Sequence, residues 1–329
     1  MKCGTMWEGS EAKLFEMPKP LEQLSESELE RRHCIGGVMT DVLDYLTCRF
    51  VSRGFEWSLP VIFSESTDPL WPDPGASIEQ RISVEIYGKT VRTTASMIIH
   101  KMVACSLLYL RLFILSPNVR IEKRERAMTG RHAYEFTQLD FEVRDTSSKE
   151  IRSFVEEAIC GLIGELRKDS VEEFARLGRH GALRVPEAPF RTYSKNELEK
   201  KYGKEWERQL VLDITEPVWV VDIPREFYDF EDLESGKWDN YDLMLPQYGE
   251  VLSGAKREWE YEKIIKKMER DGIKKEHYGL LLKLAKEGRL RPSAGAGIGI
   301  ERLVGWIVGA QHLGETQLFP KIPGVVYDL

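Results

Sequence analysis

Cysteine is scarce: five occur in 329 residues, an odd number with no Cys-x-x-Cys pair. That argues against a disulfide framework and against a cysteine zinc site. No run approaches the roughly 20 apolar residues that cross a bilayer. The first ten residues, MKCGTMWEGS, lack the apolar stretch of a secretory signal. The expected location is therefore cytoplasmic. Positive charge is in deficit, since 47 Lys and Arg against 54 Asp and Glu leave a net charge of −7. A generic nucleic-acid coat is excluded, while a local basic patch is not. Asparagine occurs only as Asn118, Asn196 and Asn240 amid abundant Lys, Arg and Glu, a bias of heat-adapted proteins. What remains, 42% hydrophobic and 31% charged, describes an ordinary globular chain. Its length allows about two average domains or one large one.

Residues 1–24 are polar with recurring prolines and read as a loose arm. The expected organisation is this arm followed by one domain over 25–329. Ser25 with Glu28, or Ser27 with Glu30, can form a capping box. Behind it Ile35, Val38, Val42, Leu46 and Phe50 recur at helical spacing, and Gly54 is a natural stop. FEWSLPVIF (55–63) reads as a strand interrupted by Pro60, and DPLWPDPG (68–75) as a loop in which Trp71 either caps a pocket or packs. Residues 82–94 alternate around Gly88-Lys89 as a hairpin. A helix over 97–110 precedes LFILSPN, which leads into a strand near 119–123. Further expected elements are a strand at 134–143 and a helix at 150–167. Strands follow at WVVDIP, YDLML and around Glu250, then helices at 257–270 and 276–287. A last strand, 293–300, runs into a helix at 301–311. Hairpins outnumber regular βαβ alternation, so the expected class is α+β, an antiparallel sheet flanked by helices.

Three segments carry chemistry. The first joins Arg120 and Glu122, across the charged loop KRERAMTG, to RHAYEFTQLDFE (131–142). Strand alternation sends Thr137, Leu139, Phe141 and Val143 to one face, suited to a core. Phe136, Gln138, Asp140 and Glu142 take the other face. One aromatic beside polar and acidic groups fits either a ligand floor or a solvated outer face. The second is GAGIGIER (295–302), where alternate glycines clear one face of a strand for something flat. The phosphate-binding GxGxxG pattern fails there because position 300 is Ile. The third sets Asp242 beside EVLSGAKRE (250–258). Asp242, Glu250 and Ser253 supply hard oxygen donors that suit nucleotide-bound magnesium, and Arg257 can grip a carboxylate bidentately.

Together these segments resemble motifs 2 and 3 of the class II aminoacyl-tRNA synthetases. The stretch Glu250–Arg257 is similar to the aspartate/asparagine subgroup, and Pro60 stands where motif 1 ends. The resemblance spans residues 30–322. Aspartyl and asparaginyl synthetases place an oligonucleotide-binding barrel of about a hundred residues ahead of this core, against roughly 30 residues here. The expected form is thus a catalytic core without an anticodon-binding domain. In this it resembles the archaeal asparagine synthetases related to asparaginyl-tRNA synthetase. TDPLWPDP (67–74), SMIIHK (96–101), IPREFYD (223–229) and PSAGAGIGIERLV (292–304) are similar to that family as well. Where aspartyl synthetases carry Gln-Ser-Pro-Gln, this chain has Ala95-Ser96-Met97-Ile98.

The resemblance implies roles residue by residue. Arg120 would bridge the α-phosphate and the reacting carboxylate, and Glu122 would accept from the adenine amino group. Phe136 and Arg302 would sandwich adenine, with Gly297 and Gly299 leaving room. Arg131 and His132 would reach the distal phosphates. Asp242, Glu250 and Ser253 would hold Mg2+. Asp68 would take the substrate ammonium group, Lys101 and Arg257 its carboxylate, with Ser96 and Gln138 completing that pocket. His100 and His312 read as structural. The expected reaction is ATP-dependent conversion of L-aspartate and ammonia to asparagine, AMP and pyrophosphate. It would run through a β-aspartyl-adenylate in a homodimer, with tRNA not a partner. The alternatives are a truncated aspartyl- or asparaginyl-tRNA synthetase and a non-catalytic synthetase paralogue.

Overall fold

The computed structural model describes residues 4–6, 13–69, 78–179 and 181–328, and of 4–6 and 13–15 the backbone alone. Trp71 and most of its loop lie outside the described residues. The arm expected to be loose carries a short antiparallel pair, β1 (Gly4–Met6) and β2 (Lys13–Phe15). Helix α1 (Glu26–Ser52) opens on the Ser25–Glu28 capping box. It buries Ile35, Val38, Val42, Leu46 and Phe50 along one face. Gly54 ends it at φ +76°, a conformation that costs other residues a Cβ clash.

The strand expected over 55–63 is reduced to β3 (Glu56–Trp57), with β4 (Phe63–Ser64) beyond Pro60. β5 (Ile78–Gln80) follows, and β6 (Ser83–Ile86) and β7 (Lys89–Thr93) form the expected hairpin. Its turn residues are Tyr87 and Gly88, both at positive φ, one position earlier than the sequence indicated. Helix α2 (Ile98–Leu107) leads to β8 (Arg111–Val119) and β9 (Ile121–Glu122). LFILSPN, expected only to lead into a strand, is itself strand. Val119 donates its N–H to Thr94, away from the neighbouring β10. Pro117, two residues earlier, points its nitrogen the same way, so it costs no ladder bond.

β10 (Glu135–Arg144), α3 (Ser148–Asp169), α4 (Val171–Arg176), β11 (Arg191–Ser194), α5 (Lys195–Tyr202), α6 (Trp206–Asp213) and β12 (Val218–Val221) come next. Then follow β13 (Glu231–Asp232), β14 (Lys237–Trp238), β15 (Asn240–Leu245), β16 (Gly249–Lys256), α7 (Tyr261–Arg270), α8 (Gly279–Lys286), β17 (Ser293–Gly299) and α9 (Ile300–Val308).

The main sheet has the order β11-β12-β15-β16-β17-β10-β8-β3. Its inner pairings are antiparallel and the two outermost, β11–β12 and β3–β8, are parallel. The class is the expected α+β, a large, mainly antiparallel sheet with helices. Leu139, Phe141 and Val143 of β10 join α1, α3 and α9 in the principal core. A second apolar cluster gathers α2, α7, α8 and Phe227. The opposite face of β10 is left polar. Among the described residues no helix is long and apolar enough to cross a membrane.

Candidate functional site

The polar face of β10 floors two clefts. The first is lined by Arg120, Glu122, Arg126, Arg131, His132, Phe136, Gln138, Glu250, Gly299, Glu301 and Arg302. Arg120 sits between β8 and β9, its N–H donating to Tyr134 at 2.8 Å. Its guanidinium lies 5.3 Å from the centre of the Phe136 ring. Glu122 is buried, its Oε2 has no hydrogen-bond partner, and burial raises its pKa. An orphaned carboxylate oxygen in a cleft awaits an N–H donor. On α9, Glu301 accepts the Thr137 N–H on both carboxylate oxygens at 2.9 and 3.0 Å. The neighbouring Arg302 spans two backbone carbonyls, Nε to Arg131 at 3.2 Å and NH1 to Glu250 at 3.0 Å.

His132 does not carry the charge that a phosphate contact would use. Burial, and then Arg302, Arg126, Arg131 and Arg120, hold its pKa well below the ordinary value. Its Nε2 accepts from Arg126 NH1 at 2.8 Å, so Nδ1 carries the proton and donates to Thr129 Oγ1 at 2.5 Å. The imidazole orients Arg126, which lies 3.7 Å from Glu122. Arg131 is buried and donates to the Tyr248 carbonyl at 2.8 Å.

The second cleft meets the first at Arg120, Gln138 and Glu250 and is also lined by Asp68, Ser96, Lys101, Asp140, Arg225, Glu226, Asp229, Ser253, Arg257 and Gly297. Arg120 NH2 stands 3.9 Å from Asp68. Lys101 on α2 is fully buried against Asp140 at 2.8 Å and the Ala296 carbonyl at 2.9 Å. Gln138 accepts from Asn118 at 2.7 Å, and Ser96 accepts the Ile98 N–H at 3.3 Å. Arg257, expected to offer its fork to a ligand, is engaged internally. Nε donates to Glu142 at 3.2 Å, NH1 to Asp229 at 2.5 Å and NH2 to the Gly295 carbonyl at 3.1 Å. Burying that charge without partners would be costly, and these acids offset it.

The expected magnesium donors are close together but not clear. Asp242 and Ser253 are direct cross-strand partners on β15 and β16. Asp242 Oδ2, however, accepts a short hydrogen bond from Arg225, and burial pushes the Asp242 carboxyl up to about 7. Among the described residues no group of three or more His, Cys, Asp or Glu is arranged to hold a metal. As placed, these residues do not fit a resident Mg2+, because a guanidinium already satisfies the key carboxylate.

The glycine strand is filled unevenly. A Cβ at Gly295 would lie 2.2 Å from the Phe141 carbonyl and 2.3 Å from Glu142 Oε2, so the chain's own side chain takes that space. Gly297 faces Asp140 and Gln138, where a Cβ would approach to 3.0 Å. Sequence reasoning passed over Arg126, Arg225, Glu226 and Asp229 as individuals. The signal for the last three was the charged run after Pro224, polar residues too numerous for the buried elements around them. His100 bonds Ser64 at 3.0 Å, outside both clefts.

The family described as tRNA synthetases class II (D, K and N) matches residues 81–323. The asparagine–tRNA ligases of Thermococcus kodakarensis and Pyrococcus abyssi are each 31% identical over 238 residues, covering 66% of this chain and 54% of theirs. The chain thus spans about half the length of the curated relatives it matches. In structure it is similar to the Pyrococcus horikoshii asparaginyl-tRNA synthetase complexed with asparaginyl-adenylate. The TM-score is 0.78 at 24% identity, over 97% of this chain and 79% of that one. The Entamoeba histolytica asparaginyl-tRNA synthetase with the same ligand gives 0.77 at 18%, over 95% and 76%. At these identities the structural likeness establishes the fold. The relatives named here are tRNA ligases, so the expectation that tRNA is not a partner finds no support in them.

Proposed function

Because the chain belongs to the class II tRNA synthetases (D, K and N), we propose that it joins ATP to a carboxylate of aspartate or asparagine. The carboxylate oxygen bonds to the α-phosphorus, the α–β bridge breaks, and pyrophosphate leaves. One observation carries this reading: two polar clefts meet at Arg120. A bidentate cation at the junction neutralises both the attacking carboxylate and the phosphate as charge concentrates there. Glu122, with its orphaned oxygen, suits the adenine amino group, and Phe136 and Arg302 suit its two faces. Asp68, Lys101 and Arg257 line or border the amino-acid cleft. In-line transfer of this kind relies on positioning and charge, so no general base is assigned.

The acceptor that the named relatives favour is tRNA, giving an aspartyl- or asparaginyl-tRNA synthetase core. A second reading, ammonia as acceptor and asparagine as product, is favoured by the segment Ala95-Ser96-Met97-Ile98, of which Ser96 and Ile98 line the amino-acid cleft while the apolar Ala95 and Met97 are buried. These offer no amide to hold the substrate in the pose of the tRNA-charging enzymes. Incubation with ATP, Mg2+ and aspartate or asparagine, with either tRNA or ammonium, separates the two by product. Hydroxylamine in place of the acceptor separates them by position: β-aspartyl hydroxamate supports the ammonia reading and α-hydroxamate the tRNA reading. Absence of AMP and pyrophosphate in every mixture would reject both.

A homodimer accompanies this reading. Trp57 in the edge strand β3 and Leu59 just beyond it, with Leu108 and Leu110 at the entry to β8, are largely exposed. Large apolar side chains gathered at a sheet edge mark an interaction surface.

A further inference from the structure

The residue that blocks the expected metal site is itself well placed. Arg225 follows Pro224 in a segment pinned at Ile223 by Asn240. The Ile223 N–H donates to Asn240 Oδ1 at 3.0 Å, and Asn240 Nδ2 donates to the Ile223 carbonyl at 2.6 Å. Asn240 opens β15, two residues before Asp242. The same short strand therefore fixes both the arginine's backbone and the carboxylate that its side chain meets. Arg225 lines the amino-acid cleft, where its charge also interacts with Glu250. Asp242 Oδ1 and Arg225 Nε are buried without hydrogen-bond partners, so neither group is saturated by other protein atoms.

We propose that Arg225 is a built-in replacement for a divalent cation: its guanidinium occupies the Asp242–Glu250 position, and the chain holds no resident metal there. Two carboxylates facing one opening attract a divalent ion, and a guanidinium supplies one unit of the same charge with fixed donors. Magnesium then enters only as a companion of the nucleotide's phosphates, without a protein anchor on Asp242. An arginine is always charged, so this side of the cleft keeps a fixed cation whether or not metal is present.

The proposal rests on reading the two joined clefts as the nucleotide and amino-acid sites, but its test needs no nucleotide and fails separately. Mn2+ is titrated into the nucleotide-free protein and followed by electron paramagnetic resonance. The wild-type chain should show no Asp242-dependent site. Arg225→Ala and Arg225→Gln, checked for folding by circular dichroism melting, should each gain one bound Mn2+. Adding Asp242→Asn to either should abolish it. The proposal is overturned if the wild-type chain binds Mn2+ and Asp242→Asn removes that binding. It is equally overturned if the folded Arg225 variants gain no site. Should neither variant fold, the wild-type and Asp242→Asn titrations decide the matter alone.

Discussion

Arg302 joins the Arg131 and Glu250 carbonyls and lines the first cleft. Arg302→Ala should raise the ATP requirement and lower turnover by about 2–3 kcal/mol in kcat/KM, the worth of charged hydrogen bonds. Arg302→Lys should recover little, since lysine keeps the charge but lacks both the fork and the flat stacking surface. If lysine restores most activity in steady-state kinetics, charge alone matters there. His312 offers a test by acid. Its Nδ1 accepts the Gly314 N–H at 2.9 Å, and its Nε2 donates to the Ala127 carbonyl at 3.2 Å. Burial lowers its pKa from 6.5 to about 4. The unfolded chain therefore binds this proton first. Its contribution is fully present above pH 6.5 and is lost as pH falls toward 4, roughly 3 kcal/mol in all. Urea denaturation across that range should show this slope, and His312→Asn should flatten it while keeping a capping acceptor.

Among the elements, β3 and the approach to β8 expose the apolar surface that a partner would cover. Leu59→Glu combined with Leu110→Glu should convert a dimer to a monomer in light scattering, with melting temperature measured alongside. A dimer that survives both charges lies on another face. The sequence disclosed these elements unequally. α1 was legible because a capping box, a 3.6-residue apolar stripe and a terminal glycine agree. The faces of β10 were legible because alternation there is strict. β8 was misplaced because Pro117 reads as a breaker, and it is harmless because its nitrogen points away from β10. The stretch with α5 and α6 gave no strong periodicity. In the site, Arg120, Glu122, Phe136 and Arg302 gather as expected. The pairing of Arg257 with Glu142 and Asp229 was invisible, because those partners lie 115 and 28 residues away. The low pKa of His132 comes first from its burial and then from the surrounding arginines, and no local pattern announces that burial.

For the molecule as a whole, the expected nucleotide products are AMP and pyrophosphate in equal amounts. Amino-acid-dependent exchange of labelled pyrophosphate into ATP measures the first step by itself. Stoichiometric ADP and phosphate would instead place attack at the γ-phosphate and remove the meaning given to Arg120. The strand order carries one more consequence. β17, which follows both β10 and β16 in the chain, lies between them in the middle of the sheet. A ribosome therefore delivers this strand only after both of the strands that it joins. Until residue 299 has emerged, β10 and β16 each present an open row of backbone donors and acceptors, and unpaired edges of this kind invite aggregation. Newly made chains should depend on chaperone shelter until β17 has emerged, and any chain stopped before Ser293 should be a substrate for degradation rather than a smaller working core.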